Sequence, residues 1–226
     1  MKISYRLVII IAVFITCLMT ANIIAVKMIR LGPFTLFAAI FIFPVSYIFG
    51  DILTEVYGYR TARRVIWLGF ACNLIFVIFA WIGQVLPAAP AWTGQAAYKS
   101  ILGATPRFLV ASFCGYLAGE FSNSYVLSRM KILTKGRWLW SRTIGSTIVG
   151  EGLDTVVFTT IATVGTPFFS PTLMLNQWGG KVLIEVVFTP VTYIIVNWLK
   201  RKESVDTYDY HTSYNPFTVA EKEKVP

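Results

Sequence analysis

Four carboxylates lie in close pairs inside apolar stretches of helical length. Asp51 and Glu55 are four residues apart in FGDILTEVYG, and Glu151 and Asp154 are three apart in GEGLDTVVF. Either spacing puts both carboxylates on one face of a helix. Because a charge inside a bilayer is costly, such residues usually line a polar path or a binding cavity. The two pairs are therefore the first candidates for binding a ligand.

Other side chains in apolar segments are also candidates for binding a ligand. The Asn22 amide, flanked by Ala21 and Ala25, would either bind a ligand or bond a neighbouring helix. Glu120 and Asn123 form a polar stripe in AGEFSNSYV that we expect to face the bundle interior. The aromatic faces that would stack on a planar ligand are Phe43, Tyr47, Phe121 and Phe158.

Each acidic pair also has a purely structural interpretation. Glu55 precedes Arg63 by eight residues, so an ion pair near the membrane boundary is an alternative to a ligand site. Glu151 and Asp154 would instead be buried partners of a cation. The candidate cations are Lys27, Lys181 and Arg107.

Composition predicts an all-α membrane protein. The 226 residues are 56% hydrophobic and 14% charged, with a mean hydropathy of +0.64. Apolar runs of about 20 residues, the length that crosses a bilayer, occur six times. The six predicted transmembrane helices cover residues 7–26, 34–57, 65–86, 108–127, 144–164 and 182–199.

The net charge of +9 is distributed in a way that argues for a membrane and against nucleic acid. Basic clusters precede the first segment and follow the second, fourth and sixth, so they occupy alternate loops. The positive-inside rule then places both termini in the cytoplasm. A nucleic-acid site would need these residues on one folded face. Their members are Lys2, Arg6, Arg60, Arg63, Arg64, Arg129, Lys131, Lys135, Arg137, Arg142, Lys200, Arg201 and Lys202.

Cysteine and histidine usage argues against metal, disulfide and cofactor chemistry. Cys17, Cys72 and Cys114 lie in separate apolar segments without CxxC spacing, so we expect no zinc site and no disulfide framework. The single histidine, His211, lies in the polar C-terminal stretch, which excludes a Ser-His or Cys-His dyad at membrane depth. No cofactor is expected.

We predict two parts: a six-helix transmembrane domain, residues 1–202, and a disordered cytoplasmic tail, residues 203–226. Three helices per half would give a 3+3 inverted repeat, with an acidic pair on each middle helix. The connection 87–106 would form either an interfacial helix or a lid over a cavity. Lys181 and Glu185, four residues apart, are expected to pair with each other.

Paired carboxylates in a dry cavity suit a planar ligand with two adjacent N–H donors, such as a guanine-like edge. The segments FPVSYIFGDILTEVYGYRTARRVIWLGF and GEGLDTVVFTTIA, with the preceding RTIGS, resemble the queuosine precursor transporter family, also described as a vitamin-uptake-transporter group. The D-x3-E-x-Y-G-x3-A-R-R pattern, from Asp51 to Arg64, is the most specific part of this likeness.

The resemblance implies import of a 7-deazaguanine across the inner membrane: the 7-cyano base, the 7-aminomethyl base or queuine. It also implies similarity to the substrate-binding components of energy-coupling-factor importers. The expected partners are this purine-like base and the lipid bilayer, with proton coupling and a homo-oligomer left open.

Two alternatives stay open beside the importer. One is a substrate-capturing subunit that needs a separate ATPase module, since the chain has no G-x4-GK[ST] loop; Ala21 and Ala25 would form its docking face. The other is an intramembrane aspartyl protease that uses Asp51 and Asp154.

Overall fold

The computed structural model of the protein describes residues 4–32, 34–103, 106–166 and 169–218, apart from the side chains of residues 34, 35, 43, 44, 47 and 106. Within this part it contains seven α-helices, a β-hairpin and a short 3₁₀ helix. In chain order they are α1 (Tyr5–Ile24), β1 (Met28–Leu31), β2 (Phe34–Phe37), the 3₁₀ helix (Ala38–Phe41), α2 (Phe43–Tyr57), α3 (Tyr59–Val85), α4 (Gln95–Leu102), α5 (Pro106–Leu133), α6 (Leu139–Thr163) and α7 (Pro171–Glu203).

The second predicted segment is only partly helical. Its first residues form β2, which pairs antiparallel with β1 from Met28 opposite Phe37 to Leu31 opposite Phe34. Gly32, at φ +58, allows the tight reversal between these strands. The remaining helix, α2, has 15 residues and is about 22 Å long. The prediction of a continuous helix over 34–57 is therefore wrong, because β2 and the 3₁₀ helix occupy residues 34–41.

The described helices are those of a multi-pass membrane protein. Four stretches are long and apolar enough to cross a bilayer: Tyr5–Ile24, Tyr59–Val85, Gln95–Leu133 and Pro171–Glu203. Large apolar side chains face outward on several helices, as expected where lipid replaces water. Examples are Val8, Ile75, Phe79, Trp81, Leu183 and Ile194.

Helix termini gather at one end of the bundle, which we call the basic end. It contains the start of α1, the α2–α3 junction, the α5–α6 junction and the end of α7. Ser4, the N-cap of α1, donates to Glu203 Oε1 at 2.6 Å. The Tyr57 hydroxyl donates to Glu203 Oε2 at 2.7 Å. The basic loops that the sequence assigned to one side of the membrane thus lie together.

The tail beyond α7 packs on the basic end as far as it is described, to residue 218. The Thr207 amide donates to the Val56 carbonyl at 3.1 Å. Asp209 Oδ2 accepts from the Tyr59 amide at 2.9 Å and from the Ser128 hydroxyl at 2.7 Å. These bonds satisfy backbone groups at the α2–α3 junction.

Further contacts tie the tail to α3. Arg63 Nη1 donates to the carbonyls of Ser213 and Asn215, each at 2.9 Å, and Trp67 Nε1 donates to the Pro216 carbonyl at 2.8 Å. Disorder was predicted for the tail because it has few aliphatic residues. That prediction does not hold for residues 204–218, since hydrogen bonds and aromatic contacts replace aliphatic burial. Residues 219–226 lie outside the described part.

Helices α5 and α6 approach each other closely through glycines. A Cβ at Gly119 of α5 would lie 2.8 Å from Asp154 Cβ and 3.2 Å from the Gly150 carbonyl oxygen of α6. A Cβ at Gly150 would lie 2.7 Å from Asn123 Cβ. Gly115 and Gly119 form a G-x3-G spacing that permits this approach. The glycines therefore fix the position of Asp154.

The effect of a methyl group at this contact is our first prediction. Gly119→Ala is expected to lower the free energy of unfolding by about 1–3 kcal/mol, because overpacking forces the helices apart. Gly179→Ala is the matched control: it also lies inside a helix, and a Cβ there meets nothing within 4 Å. Thermal unfolding of both variants in detergent measures the difference. Equal melting temperatures would contradict the close approach.

Candidate functional site

A cavity of about 140 Å³ lies among α1, α2, α3, α5, α6 and α7, next to the hairpin and the 3₁₀ helix. Its volume is comparable to that of a cavity of about 150 Å³ that holds a benzene ring. It therefore suits a small planar molecule. Of the residues predicted for the site, those that line it are Asn22, Glu120, Glu151, Asp154 and Phe158.

Lys181 is the charged centre of one wall. Its Nζ donates to Glu151 Oε2 at 2.7 Å and to Asp154 Oδ2 at 2.6 Å. The Lys181 side chain is 7% exposed, and the two carboxylates are also largely enclosed. Of the three cations considered from the sequence, Lys181 makes these ion pairs. The two acids of α6 therefore do lie together at the cavity, and they meet there through a lysine of α7.

Amides and hydroxyls form the opposite wall. Asn22 Nδ2 donates to Asn73 Oδ1 at 3.0 Å, and the Ser112 hydroxyl donates to Asn22 Oδ1 at 3.3 Å. The Tyr116 hydroxyl donates to the Ile66 carbonyl at 3.0 Å. Asn22 therefore bonds side chains of other helices and also lines the cavity.

Glu120 differs from the other acids of the cavity wall. Within the described residues its carboxylate has neither a hydrogen-bond donor nor an ion-pair partner, although Glu151, Asp154 and Lys181 lie within electrostatic range. It extends from α5 towards α2, where its Oε2 would be 3.8 Å from a Cβ placed on Gly50. An enclosed acceptor of this kind is available to a ligand with N–H donors.

Phe158 supplies the aromatic surface of the cavity. It makes edge-to-face contacts with Phe108, at 5.0 Å between ring centroids, and with Phe37 of β2, at 6.4 Å. Phe121 does not line the cavity and packs on Trp67, with centroids 5.7 Å apart. The side chains of the other two aromatic candidates, Phe43 and Tyr47, lie outside the described part of the structure.

Asp51 and Asn123 lie beside the cavity without lining it. Asp51 is 1% exposed, and its Oδ1 accepts from Asn123 Nδ2 at 3.2 Å. In the part of the chain that is described, Asp51 Oδ2 and Asn123 Oδ1 have no partner. The predicted pair on α2 is therefore divided, with Asp51 near the cavity and Glu55 one turn closer to the basic end.

Glu55 lies outside the cavity, in an ion-pair group that we call the Glu55 cluster. Its fully buried carboxylate accepts from Arg142 Nη2 at 2.8 Å and Nε at 3.3 Å, and from Lys200 at 2.7 Å. Lys131 Nζ is 3.8 Å from the same carboxylate and donates to Asp206 at 2.5 Å. Lys200 also pairs with Asp206 at 2.8 Å. This geometry supports the ion-pair interpretation of Glu55, with Arg142 as its main partner.

Asp206 connects this cluster to the tail. Burial disfavours its ionised form, but hydrogen bonds from Lys131 and Lys200 outweigh that effect, so the pKa of Asp206 lies below its ordinary value. The Asp206 side chain is 42% exposed, in contrast to Glu55. Electrostatic contacts in the cluster are therefore strongest at its buried end.

The helix in the connection 87–106, α4, is docked on α3. In α4, Tyr98 donates to the Ala80 carbonyl at 3.1 Å, and Gln95 donates to the Gln84 carbonyl at 3.0 Å. None of the described residues of α4 lines the cavity. The residues of the hairpin region that do line it are Phe37 and Ala39.

Several cavity residues were missed from the sequence. Asn73, Tyr116 and Gln177 line it. Lys181 was expected to pair with Glu185 or with the acids of α6, and it pairs with the latter. A signal was present in α7, where polar residues at 177, 181, 185 and 189 recur every four positions and all are buried. Such a stripe marks the interior face of a membrane helix.

Apolar helices around a polar cavity define a multi-pass membrane protein with an internal cavity. A family model described as "Putative vitamin uptake transporter" matches residues 37–195. The chain therefore belongs to this family, which is a family of transporters and not of enzymes.

Two similar proteins are also named as transporters. A Bacillus subtilis (strain 168) protein named "Probable queuosine precursor transporter" is 32% identical over 147 residues, 64% of this chain and 64% of the relative. An Escherichia coli (strain K12) protein named "Queuosine precursor transporter" is 28% identical over 168 residues, 72% of this chain and 73% of the relative. The match thus spans about two thirds of the Bacillus protein. No solved structure matches the chain.

Proposed function

We propose that this protein imports a queuosine precursor, a 7-deazaguanine base, across the cytoplasmic membrane. The observation that carries the proposal is the Glu120 carboxylate, which lines the cavity and has no hydrogen-bond or ion-pair partner among the described residues. A deazaguanine has a ring N–H next to an exocyclic amine, and a carboxylate accepts from both in parallel. The names of the relatives support this substrate class.

The other walls would hold the rest of the base. Phe158 offers a ring for stacking, and Asn22 with Asn73 offers amide groups for the remaining polar edge. Lys181 holds the carboxylates of Glu151 and Asp154 in position through its two ion pairs. In this proposal Glu120 accepts the two hydrogen bonds from the donor edge of the base, while Asp51 and Glu55 do not touch the base.

The proposed orientation puts the basic end in the cytoplasm. The positive-inside rule supports it, because the clustered Lys and Arg residues all lie at that end. Substrate then enters from the side of the hairpin and α4. Six crossings by α1, α2, α3, α5, α6 and α7 fit this orientation, and the 3+3 repeat would relate α2 to α6.

The two alternatives gain less support. Ala21 and Ala25, which would have formed the docking face for an ATPase module, line the cavity instead. For an aspartyl protease, two aspartates must meet at one substrate. Asp154 is ion-paired with Lys181, whereas Asp51 bonds to Asn123 outside the cavity.

Uptake of labelled base tests the assignment of Glu120. Glu120→Gln is expected to weaken the apparent affinity for 7-aminomethyl- or 7-cyano-7-deazaguanine about tenfold or more, since a hydrogen bond to a charged group contributes about 1.5–3 kcal/mol. The measurement is initial uptake by cells that lack precursor synthesis and their own transporter, with queuosine in tRNA as a second readout.

Glu203→Gln is the matched control, because Glu203 is an acid at the basic end, bonded to Ser4 and Tyr57 and remote from the cavity. It is expected to take up the base with parental affinity. Adenine, which lacks the paired donors, should not compete. Parental affinity in Glu120→Gln, with normal membrane insertion, would refute the role of Glu120; absence of uptake by the parent would refute the substrate class.

A further inference from the structure

Two buried carboxylates belong neither to the cavity lining nor to the Glu55 cluster. Asp51 on α2 and Glu185 on α7 are each 1% exposed. Asp51 Oδ2 and Glu185 Oε1 have no hydrogen-bond partner in the described part of the chain. The two helices pack against each other, and Glu185 is the charged group that acts most strongly on Asp51. Both acids are therefore buried carboxylates with an unsatisfied oxygen on helices that pack together, and we call them the pair.

The cations of the interior are already engaged elsewhere. Lys181 holds two carboxylates of α6, and three further cations hold Glu55 and Asp206. Among described residues no ion pair reaches Asp51 or Glu185. The charged groups that face the pair are Glu55 of α2, Glu120 of α5, Glu151 of α6 and Lys181 of α7.

Most of these neighbours are acids, so electrostatics disfavours ionising both members of the pair. Two carboxylates that share a buried site without a counter-ion cannot both be charged, and the pair then holds a proton between them. The charged residues of α1 and α3 do not change this, because they lie at the basic end: Arg6, Arg60, Arg63 and Arg64.

The chemistry of the site favours a proton over a metal ion. The described residues contain no group of three or more His, Cys, Asp or Glu side chains placed to hold a metal. The site consists of the two carboxylates of the pair and the Asn123 amide, which bonds to Asp51. A proton needs only one carboxylate to bind and a second to accept it.

The position of the pair suits a coupling site. Asp51 precedes Glu55 by one helical turn on α2, and Glu185 follows the cavity residue Lys181 by one turn on α7. The pair thus lies about 6 Å along either helix from its charged neighbour. Any proton that leaves the cavity for the basic end along α2 and α7 passes these two side chains.

We propose that Asp51 and Glu185 form a proton-binding pair that couples uptake to the proton gradient; this rests on the proposed function. One proton enters the pair from outside when the cavity is loaded, and it leaves to the cytoplasm when the base is released. The net step moves one base and one proton inward. Neither carboxylate touches the base.

Reconstituted protein tests the pair. With a membrane one pH unit more acidic outside, one proton per substrate predicts about tenfold accumulation of labelled 7-aminomethyl-7-deazaguanine in liposomes. Glu185→Gln, which cannot exchange a proton, is expected to equilibrate or exchange the base without accumulating it. Asp51→Asn provides a second variant, and substrate binding in detergent verifies that each variant is folded. Glu203→Gln on the same helix should accumulate like the parent.

Each result decides between the proposals. Accumulation lost in Glu185→Gln or Asp51→Asn while binding and exchange persist supports the proton pair. Parental accumulation in both folded variants, equilibration of the parent despite the pH gradient, or accumulation that follows a sodium gradient overturns it. A parent that neither binds nor transports the base refutes the proposed function instead.

Discussion

Replacing Lys181 by methionine is expected to abolish uptake of the base and to lower the free energy of unfolding by about 3–5 kcal/mol. The reason is that Lys181 Nζ holds Glu151 at 2.7 Å and Asp154 at 2.6 Å inside the bundle. Without it two carboxylates remain buried and uncompensated, which is the costly way to break a buried ion pair. Thermal unfolding in detergent and initial uptake rates measure the two effects.

Two further variants separate charge from packing at this site. The triple variant Lys181→Met, Glu151→Gln, Asp154→Asn removes all three charges at nearly constant volume, so it is expected to regain most of the stability without regaining transport. Lys99→Met, on the exposed surface of α4, should change the unfolding free energy by less than about 0.5 kcal/mol. Parental stability of Lys181→Met would mean that the ion pairs are not buried as described.

Glu55→Gln is expected to destabilise the protein by about 3–5 kcal/mol while leaving the affinity for substrate unchanged. The carboxylate is fully buried between Arg142 and Lys200, with Lys131 at 3.8 Å, and its loss leaves buried cations without an anion. The cavity does not include Glu55, so the ligand should not sense the change. Unfolding in detergent measures the change in stability, and equilibrium binding of labelled base measures the affinity for substrate.

Asp206→Asn is the matched control in the same cluster. Because Asp206 is 42% exposed, its pairs with Lys131 and Lys200 are screened, and the expected loss is about 1 kcal/mol or less. If Glu55→Gln instead bound the base more weakly at unchanged stability, the ion-pair role of Glu55 would be wrong. Glu55 would then belong to the ligand site, as its spacing from Asp51 first suggested.

The tail shows how composition misleads near a membrane boundary. Residues 204–218 have few aliphatic side chains, so disorder was a reasonable prediction. Their stability on the basic end comes from Asp209, which bonds Tyr59 and Ser128, and from carbonyls that accept from Arg63. No local pattern in the tail reports this, because the binding partners are supplied by α3 and α5.

The second apolar segment shows a related failure. Hydropathy alone does not distinguish a helix from a short hairpin followed by a helix, so residues 34–57 were predicted as one span. The turn at Gly32, with φ +58, precedes this segment and allows β1 and β2 to pair, and α2 begins only at Phe43, after β2 and the 3₁₀ helix. As a result, Phe37 of β2 reaches the cavity.

The sequence by itself determined the membrane class, the acidic residues worth testing and the resemblance to a transporter family, because hydropathy, charge and motif spacing are local properties. Tertiary structure alone decided which acids act together. Spacing on α2 joined Asp51 to Glu55, whereas packing bonds Asp51 to Asn123 and pairs Glu55 with Arg142. The physical reason is that a buried charge pairs with the counter-ion that helix packing brings close to it. Here that packing is the glycine contact of α5 with α6 and the docking of α7.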